Sequence, residues 1–205
     1  MEREPREECG VFGVWAPGEE VAKLSFYGLY ALQHRGQEAA GIAVADGKQI
    51  VVFKDLGLVS QVFNEQVLSS LRGHVAVGHC RYSTTGSGTW ENAQPMFRTT
   101  AAGSALALGH NGNLVNTAEL AERTMRIGIK PVPGLTGSSS DSDLIAGLLA
   151  EAAVDTGLEQ AARELLPSLR GAFCLVFSDE TTLYAARDPY GVHPMVLGRL
   201  ERGWV

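Results

Sequence analysis

The residue types near the start of the chain suggest nucleophilic chemistry. Cys9 follows eight residues, Met-Glu-Arg-Glu-Pro-Arg-Glu-Glu, and is followed at once by Gly10. Removal of residues 1–8 would make Cys9 the N-terminal residue. Its α-amine, with a pKa of about 7.7–8.0, would then lie within reach of the thiol as a built-in general base. Taken alone, the position also fits a small buried cysteine without chemistry.

The other cysteines and the histidines do not indicate a metal site or a second nucleophile. The chain has three cysteines and five histidines, and none of their spacings is typical of metal ligands. Cys80 and Cys174 lie in apolar runs that predict strands, so both are expected to be buried, reduced and inert. His79 adjoins Cys80, but neighbouring side chains of a strand point to opposite faces, which argues against a Cys–His pair.

Length and charge narrow the class of protein. The chain has 205 residues, which suits one domain with a substantial core, and a formal net charge of −6. It has no run or stripe of Lys and Arg, so we expect no nucleic-acid partner. No apolar stretch is long enough to span a bilayer, and the N-terminus lacks the apolar segment of a signal peptide. We therefore expect a cytoplasmic protein without a membrane partner.

The elements that must position Cys9 are predicted from hydrophobic periodicity and from turn residues. Strands are expected at 9–15, 41–45, 49–54, 75–80, 105–108, 172–177, 183–186 and 194–197. Helices are expected at 19–33, from a Ser60 cap to Leu71, from an Asn116–Glu119 capping box to near Gly128, from Ser140 past Leu149, and at 158–166. Hairpins, one of them through Asp46-Gly47, replace regular strand–helix–strand alternation. This order indicates an α+β protein with antiparallel sheets covered by helices.

Six segments, in order along essentially the whole chain, carry a resemblance to a known family. They cover 9–13, 31–42, 78–84, 109–113, 140–143 and 187–194. Together they resemble the glutamine-hydrolysing part of the amidophosphoribosyltransferase family. The resemblance implies an N-terminal-nucleophile hydrolase fold, a four-layer αββα sandwich of two antiparallel sheets. It also implies that 1–8 is a propeptide and that 9–205 forms a type 2 glutamine amidotransferase domain.

Within this resemblance, the chemistry of glutamine assigns roles to particular residues. Cys9 is the expected nucleophile. Arg81 suits the α-carboxylate because a guanidinium can donate two parallel hydrogen bonds, and Asp141 suits the α-ammonium group. Asn111 and Gly112 suit an oxyanion hole built from a side-chain amide and a backbone N–H. The simpler interpretations are a strand-end arginine, a helix cap or first-turn acid, and an Asn-Gly turn.

The longest predicted loop covers 82–95 and resembles the loop that folds over glutamine in the family. Loops of this length inside compact domains are often functional. The resemblance implies that Thr84 and the residues after it contact the substrate. It also places Arg35 and Gly36 beside the site, where they are expected to order the pocket.

The resemblance has consequences beyond this chain. Family members continue into a phosphoribosyltransferase domain, and its diphosphate-binding motif does not occur here. We therefore expect a fragment whose ammonia serves that domain in making 5-phosphoribosylamine from phosphoribosyl diphosphate for purine synthesis. Mg²⁺, and the iron–sulfur cluster of some relatives, would belong to that domain, and no cofactor or metal is expected in this chain. The full-length protein is expected to be a homo-oligomer.

Several alternatives remain open from the sequence. The chain could be a stand-alone amidotransferase, or the amidotransferase half of a glucosamine-6-phosphate or asparagine synthetase. The segments 33–38 and 187–191 favour the purine type. It could also be a non-catalytic glutamine-binding regulatory module, or a self-processing hydrolase of the same fold that acts on another amide.

Overall fold

Ten strands and five α-helices form the described part of this computed structural model, which comprises residues 9–82, 89–126 and 140–205. The strands are β1 (Gly10–Trp15), β2 (Ala39–Ala45), β3 (Ile50–Leu56), β4 (Val75–Arg81), β5 (Met96–Thr99), β6 (Ala105–Leu114), β7 (Gly171–Ser178), β8 (Leu183–Arg187), β9 (Arg199–Leu200) and β10 (Gly203–Trp204). The helices are α1 (Val21–Ala31), α2 (Val59–Val62), α3 (Glu65–Ser70), α4 (Thr117–Arg126) and α5 (Asp141–Leu165). Short 3₁₀ turns lie at Gln33–Arg35, Trp90–Asn92 and Leu166–Ser168.

The strands form two antiparallel sheets. The larger sheet has the order β3-β2-β4-β1-β10-β9, and the smaller has the order β5-β6-β7-β8. In the larger sheet, β4 lies between β1 and β2, with Gly10 opposite Cys80 and Ala39 opposite Arg81. In the smaller sheet, β6 pairs with β7 along its length, with Asn111 opposite Cys174. The start of β1 and the end of β4 therefore lie side by side.

Three buried apolar clusters show how the layers stack. One joins α1, α2 and α3 to the larger sheet and includes Leu29 and Ile42. A second joins α4 and α5 to the smaller sheet and includes Leu108 and Leu149. The third, with Val75 and Ala107 among its members, fills the space between the two sheets. This order of helices, sheet, sheet and helices confirms the predicted four-layer αββα sandwich.

Most predicted elements are confirmed, and the long helix after β3 is corrected. Two short helices, α2 and α3, replace the single helix expected from Ser60 to Leu71, and Ser60 lies inside the first of them. Asn64 separates them because its backbone is extended and its side chain accepts a hydrogen bond from Val67 N at 2.9 Å. It is therefore Asn64, rather than Ser60, that caps a helix.

Two strand predictions are also corrected. The strand expected at 194–197 does not form, and the side chains of Val196 and Leu197 are 87% and 74% exposed. Strand pairing at this end of the chain comes instead from β9 and β10, which extend the larger sheet beside β1. The strand expected at 105–108 continues to Leu114, so Asn111 and Gly112 lie within β6 and not in a turn.

The helix predicted from the Asn116–Glu119 capping box forms as α4, which begins at Thr117, with Glu119 in its first turn. The Asn116 side chain, however, accepts a hydrogen bond from Arg170 N at 3.0 Å and donates one to Ser168 O at 3.1 Å. It thereby connects the start of α4 to the segment that precedes β7. In the part of the chain that the structure describes, no helix has the length and apolar character needed to cross a membrane.

Candidate active site

Cys9 lies at the edge of the larger sheet, immediately before β1. Its Sγ is 3.4 Å from both the backbone N and the backbone O of Tyr82, the residue that follows β4. Burial raises the pKa of the Cys9 thiol above its usual value, although the Tyr82 backbone and the charge of Arg81 act in the opposite direction. The thiol is therefore mainly protonated near neutral pH, and a nearby proton acceptor is needed to make it nucleophilic.

Strand pleating directs Cys9 and Arg81 to the same space between the sheets. Alternate residues of a strand share a face, and Val75 of β4 lies in the cluster between the sheets, so Arg81 belongs to the inner face. In β1, a side chain added at Gly13 would contact Val176 of the smaller sheet, which puts Cys9 on the inner side as well. Arg81 is buried, with its Nη1 3.7 Å from Glu38 Oε2.

Asn111 faces the same space from the opposite sheet. Ala105 and Ala107 of β6 lie in the cluster between the sheets, and Asn111 shares their face by alternation. Asn111 is itself buried, so its side-chain amide is held in the interior near the end of the strand. Cys9, Arg81 and Asn111, which are distant in sequence, are thus directed from two sheets into one inter-sheet space.

Gly112 occupies a backbone position that only glycine suits. Its φ is +141°, and a Cβ added there would lie 2.1 Å from Ala172 O on the neighbouring strand. A side chain at this position would be strained and would also collide with β7. The expected oxyanion-hole pair is therefore part of a tightly constrained segment of β6, although its role stays a prediction.

Arg35 and Gly36 approach Cys9 from the 3₁₀ turn after α1. Arg35 Nε donates to Cys9 O at 3.2 Å, which fixes the main chain of Cys9. Gly36 is buried against the end of β4, where an added Cβ would lie 2.6 Å from Cys80 O. The structure thus brings Arg35 next to Cys9 and Gly36 next to the end of β4, and their role in ordering the pocket stays a prediction.

Asp141 is the first residue of α5, and Ser140 is the N-cap. Its Oδ2 accepts a hydrogen bond from Leu114 N at 3.1 Å, and its Oδ1 lies 3.5 Å from His110 Nδ1. Burial alone would raise the pKa of this carboxyl, but hydrogen bonds from His110 and from the backbone hold the pKa below its usual value. Asp141 is therefore an anion at neutral pH, connected to the end of β6, and can bind an ammonium group.

A buried cluster of polar side chains lies behind Asn111 and was not predicted from the sequence. His110 Nδ1 lies 3.0 Å from Ser142 Oγ, and the Gln94 side-chain amide contacts both Ser142 and the backbone of His110. The sequence contains one signal for this cluster. His110 continues the alternation of Leu106 and Leu108, which places it on the same buried face of β6. A histidine in such a position needs polar partners in the core. Those partners are far away in sequence, so nothing local identifies them.

Two of the predictions concern residues outside the described part of the chain. Thr84, expected to contact substrate, lies outside the described residues, as does the segment 1–8, which is expected to be a propeptide. Cys80 and Cys174 are free and buried, as predicted. Among residues 9–82, 89–126 and 140–205, no group of three or more His, Cys, Asp or Glu is arranged to hold a metal ion.

Comparison with known proteins identifies close relatives along nearly the whole chain. Residues 79–205 match the family described as glutamine amidotransferase domain. The amidophosphoribosyltransferase of Mycobacterium tuberculosis is 70% identical over 201 residues, which cover 98% of this chain and 38% of that protein. The amidophosphoribosyltransferase of Synechococcus elongatus is 49% identical over 202 residues, covering 96% of this chain and 39% of that protein.

A solved structure has the same fold. The glutamine phosphoribosylpyrophosphate amidotransferase of Bacillus subtilis, determined with ADP and GMP, matches with a TM-score of 0.82 and 36% identity. The match covers 95% of this chain and 40% of that one. The chain therefore spans about two fifths of the length of the relatives it matches.

Proposed function

The chain belongs to the glutamine amidotransferase domain family, and we propose that its Cys9, once N-terminal, hydrolyses glutamine to glutamate and ammonia. The proposal depends on one observation above all: Cys9, Arg81 and Asn111 are directed from two sheets into the same inter-sheet space. This arrangement offers a nucleophile, a cation and an amide donor to one substrate.

The reaction begins with proton transfer from the Cys9 thiol. Because burial raises the pKa of this thiol, the free α-amine of the same residue acts as the base, directly or through water. The thiolate then attacks the carboxamide carbon of glutamine. The Asn111 side-chain amide and the Gly112 N–H donate to the developing oxyanion. Collapse of this intermediate breaks the C–N bond, and ammonia leaves with a proton returned by the amine. Water then hydrolyses the γ-glutamyl thioester to glutamate and restores the thiol.

Arg81 and Asp141 hold the two charged ends of the amino acid. The Arg81 guanidinium binds the α-carboxylate, and the Asp141 carboxylate binds the α-ammonium group. Hydrogen bonds keep Asp141 ionised at neutral pH, as this role requires. Arg35 and Gly36 fix the main chain around Cys9, and Thr84 completes the substrate contacts.

Arg81→Ala is expected to raise the KM for glutamine by about 10- to 100-fold, since a hydrogen bond to a charged group contributes roughly 1.5–3 kcal/mol. Arg81→Lys keeps the charge but loses the paired geometry, so it should recover only part of the affinity. The measurement is ammonia release against glutamine concentration. Arg170→Ala, which removes a mainly exposed arginine, is the control. An unchanged KM in Arg81→Ala would instead favour a hydrolase of this fold that acts on another amide.

The ammonia is used, in this proposal, by a phosphoribosyltransferase domain to make 5-phosphoribosylamine from phosphoribosyl diphosphate, in cytoplasmic purine synthesis. The support is the 70% identity to an amidophosphoribosyltransferase over nearly the whole chain. Mg²⁺, and any iron–sulfur cluster, would belong to that domain, and the complete protein would be a homo-oligomer. The test is glutamine-dependent formation of 5-phosphoribosylamine by protein that includes the acceptor domain. Glutaminase activity without this product would restrict the proposal to ammonia release.

A further inference from the structure

A buried polar cluster connects the strand that carries Asn111 with the helix that begins at Asp141. At its centre is His110, which is 2% exposed. Its Nδ1 lies 3.0 Å from Ser142 Oγ and 3.5 Å from Asp141 Oδ1. These two oxygens are the polar partners of this ring nitrogen among residues 9–82, 89–126 and 140–205. A proton on Nδ1 can therefore be shared between a hydroxyl and a carboxylate, both in the first turn of α5.

The backbone of His110 is held by the Gln94 side chain. Strand β5 begins at Met96, opposite Leu108, so His110 lies just beyond the end of that strand pairing. Beyond β5, the Gln94 side-chain amide bonds to the backbone of His110 instead. Its Oε1 accepts from His110 N at 2.7 Å, and its Nε2 lies 3.4 Å from His110 O. The same Nε2 donates to Ser142 Oγ at 3.1 Å. Gln94 thus bonds to both the strand and the helix.

The larger sheet also contacts this cluster. Burial lowers the pKa of His79 to about 3, so its ring is neutral at physiological pH. Because a carbonyl oxygen can only accept, the Nε2–H of His79 donates to His110 O at 3.0 Å. His79 precedes Arg81 by two residues on the same face of β4. The cluster therefore joins the strands that carry Arg81 and Asn111 to the helix that carries Asp141.

His110 and Asn111 are adjacent but point to opposite faces of β6. His110 shares the face of Leu106 and Leu108, which pack toward α5, whereas Asn111 shares the face of Ala107 between the sheets. A displacement of the His110 ring from Ser142 would therefore change the separation between Asp141 and Asn111. Under the proposed function, that separation sets the distance from the α-ammonium group of a bound amino acid to its side-chain amide.

We infer that His110 is a positioning residue that fixes Asp141 relative to Asn111 and thereby selects glutamine over shorter amino-acid amides. The inference rests on the proposed function. Asparagine has the same charged groups and the same amide, but one methylene fewer between them. A rigid cluster can exclude it because its amide cannot reach the nucleophile while its ammonium group contacts Asp141. A cluster that no longer fixes Asp141 would admit both glutamine and asparagine.

His110→Leu is expected to raise the KM for glutamine about 10- to 100-fold, because Asp141 loses a hydrogen-bond donor in a buried setting. The kcat should fall less than about threefold, since Asn111 and Gly112 remain on β6. The ratio of kcat/KM for glutamine to that for asparagine should fall at least about tenfold. His110→Asn should restore most of the loss, because the Asn amide nitrogen can replace Nδ1 as a donor.

Two further variants separate positioning from stability. Ser142→Ala removes one partner of His110 without changing β6 and should shift the same ratio in the same direction. Leu108→Ala removes buried apolar volume from the same face of β6 and should lower the free energy of unfolding without changing the ratio. Chemical denaturation of each variant identifies those that fold. Ser142→Ala keeps the inference testable if His110→Leu does not fold.

The outcomes distinguish this inference from the proposed function. If the wild-type protein shows no Cys9-dependent ammonia release from glutamine, the proposed function and this inference both fail. If the wild type hydrolyses glutamine but the folded His110 and Ser142 variants keep the wild-type ratio within about twofold, only this inference is overturned. It is also overturned if His110→Asn loses as much selectivity as His110→Leu.

Discussion

Cys9→Ala is expected to reduce ammonia release from glutamine by about 10⁴-fold or more, because the thioester cannot form without the sulfur. The folded structure should change little. Cys9 precedes β1, and the pairing of β1 with β4 begins at Gly10. The loss should therefore appear in kcat, while the affinity for glutamine, which we propose depends on Arg81 and Asp141, should remain. The measurements are steady-state ammonia release and equilibrium binding of glutamine.

The other two cysteines are the matched controls for Cys9→Ala. Cys80 and Cys174 are both free and buried. Burial raises the pKa of the Cys80 thiol to about 11 and that of the Cys174 thiol above its usual value, so neither is a nucleophile at neutral pH. Cys80→Ala and Cys174→Ala should keep the wild-type rate within about twofold. If Cys9→Ala retains activity and either control loses it, the nucleophile is a different cysteine.

Asn111→Ala is expected to lower kcat for glutamine by about 10²- to 10³-fold, the usual effect of removing one oxyanion-hole donor. The KM should change little, since the donor binds the oxyanion more strongly than the ground-state amide. A fall in kcat and kcat/KM by the same factor is therefore the expected signature. The measurement is steady-state kinetics across a range of glutamine concentrations.

Asn113→Ala is the matched control because Asn113 lies two residues along the same strand and is exposed. It should keep the wild-type kcat within about twofold. An Asn111→Ala protein that folds, retains kcat and loses only affinity would show that Asn111 binds the substrate rather than stabilising the oxyanion. The assignment of Asn111 as an oxyanion-hole donor would then be wrong.

The fold follows from the sequence wherever a local pattern matches a complete element. Strand β2 is predicted from a short apolar run before the Asp46-Gly47 turn, and helix α1 is predicted from helical spacing. The end of β6 was not, because His110, Asn111 and Gly112 are not an apolar run, and this part of the strand forms through pairing with β7. Pairing partners far along the chain decide such cases, and local propensity does not encode them.

The strand predicted at 194–197 is wrong for the opposite reason: the local pattern is present, but no strand forms. Val196 and Leu197 are apolar and would suit a strand, yet both are largely exposed. An apolar run indicates a strand only if a sheet edge is available to pair with it. Here β10, which comes later in the chain, pairs with β1 at that edge.

The candidate site could be predicted only in part. Cys9, Arg81 and Asn111 were identified by their chemistry and by family resemblance, and the structure directs them to one space. The supporting contacts were not predicted, because the sequence separation from Gln94 to His110 is 16 residues and from His110 to Ser142 is 32 residues. A side-chain network of this kind becomes visible only after the sheets and α5 are assembled.

Mass spectrometry of the purified protein after reaction with a glutamine-like electrophile tests directly whether an N-terminal Cys9 is the nucleophile. We expect a chain that lacks residues 1–8 and carries one adduct, on the sulfur of Cys9, and we expect this adduct to abolish ammonia release. Full glutaminase activity in a chain that retains residues 1–8 would contradict the role of the α-amine as the base. An adduct elsewhere in an inactivated protein would contradict the assignment of Cys9 as the nucleophile.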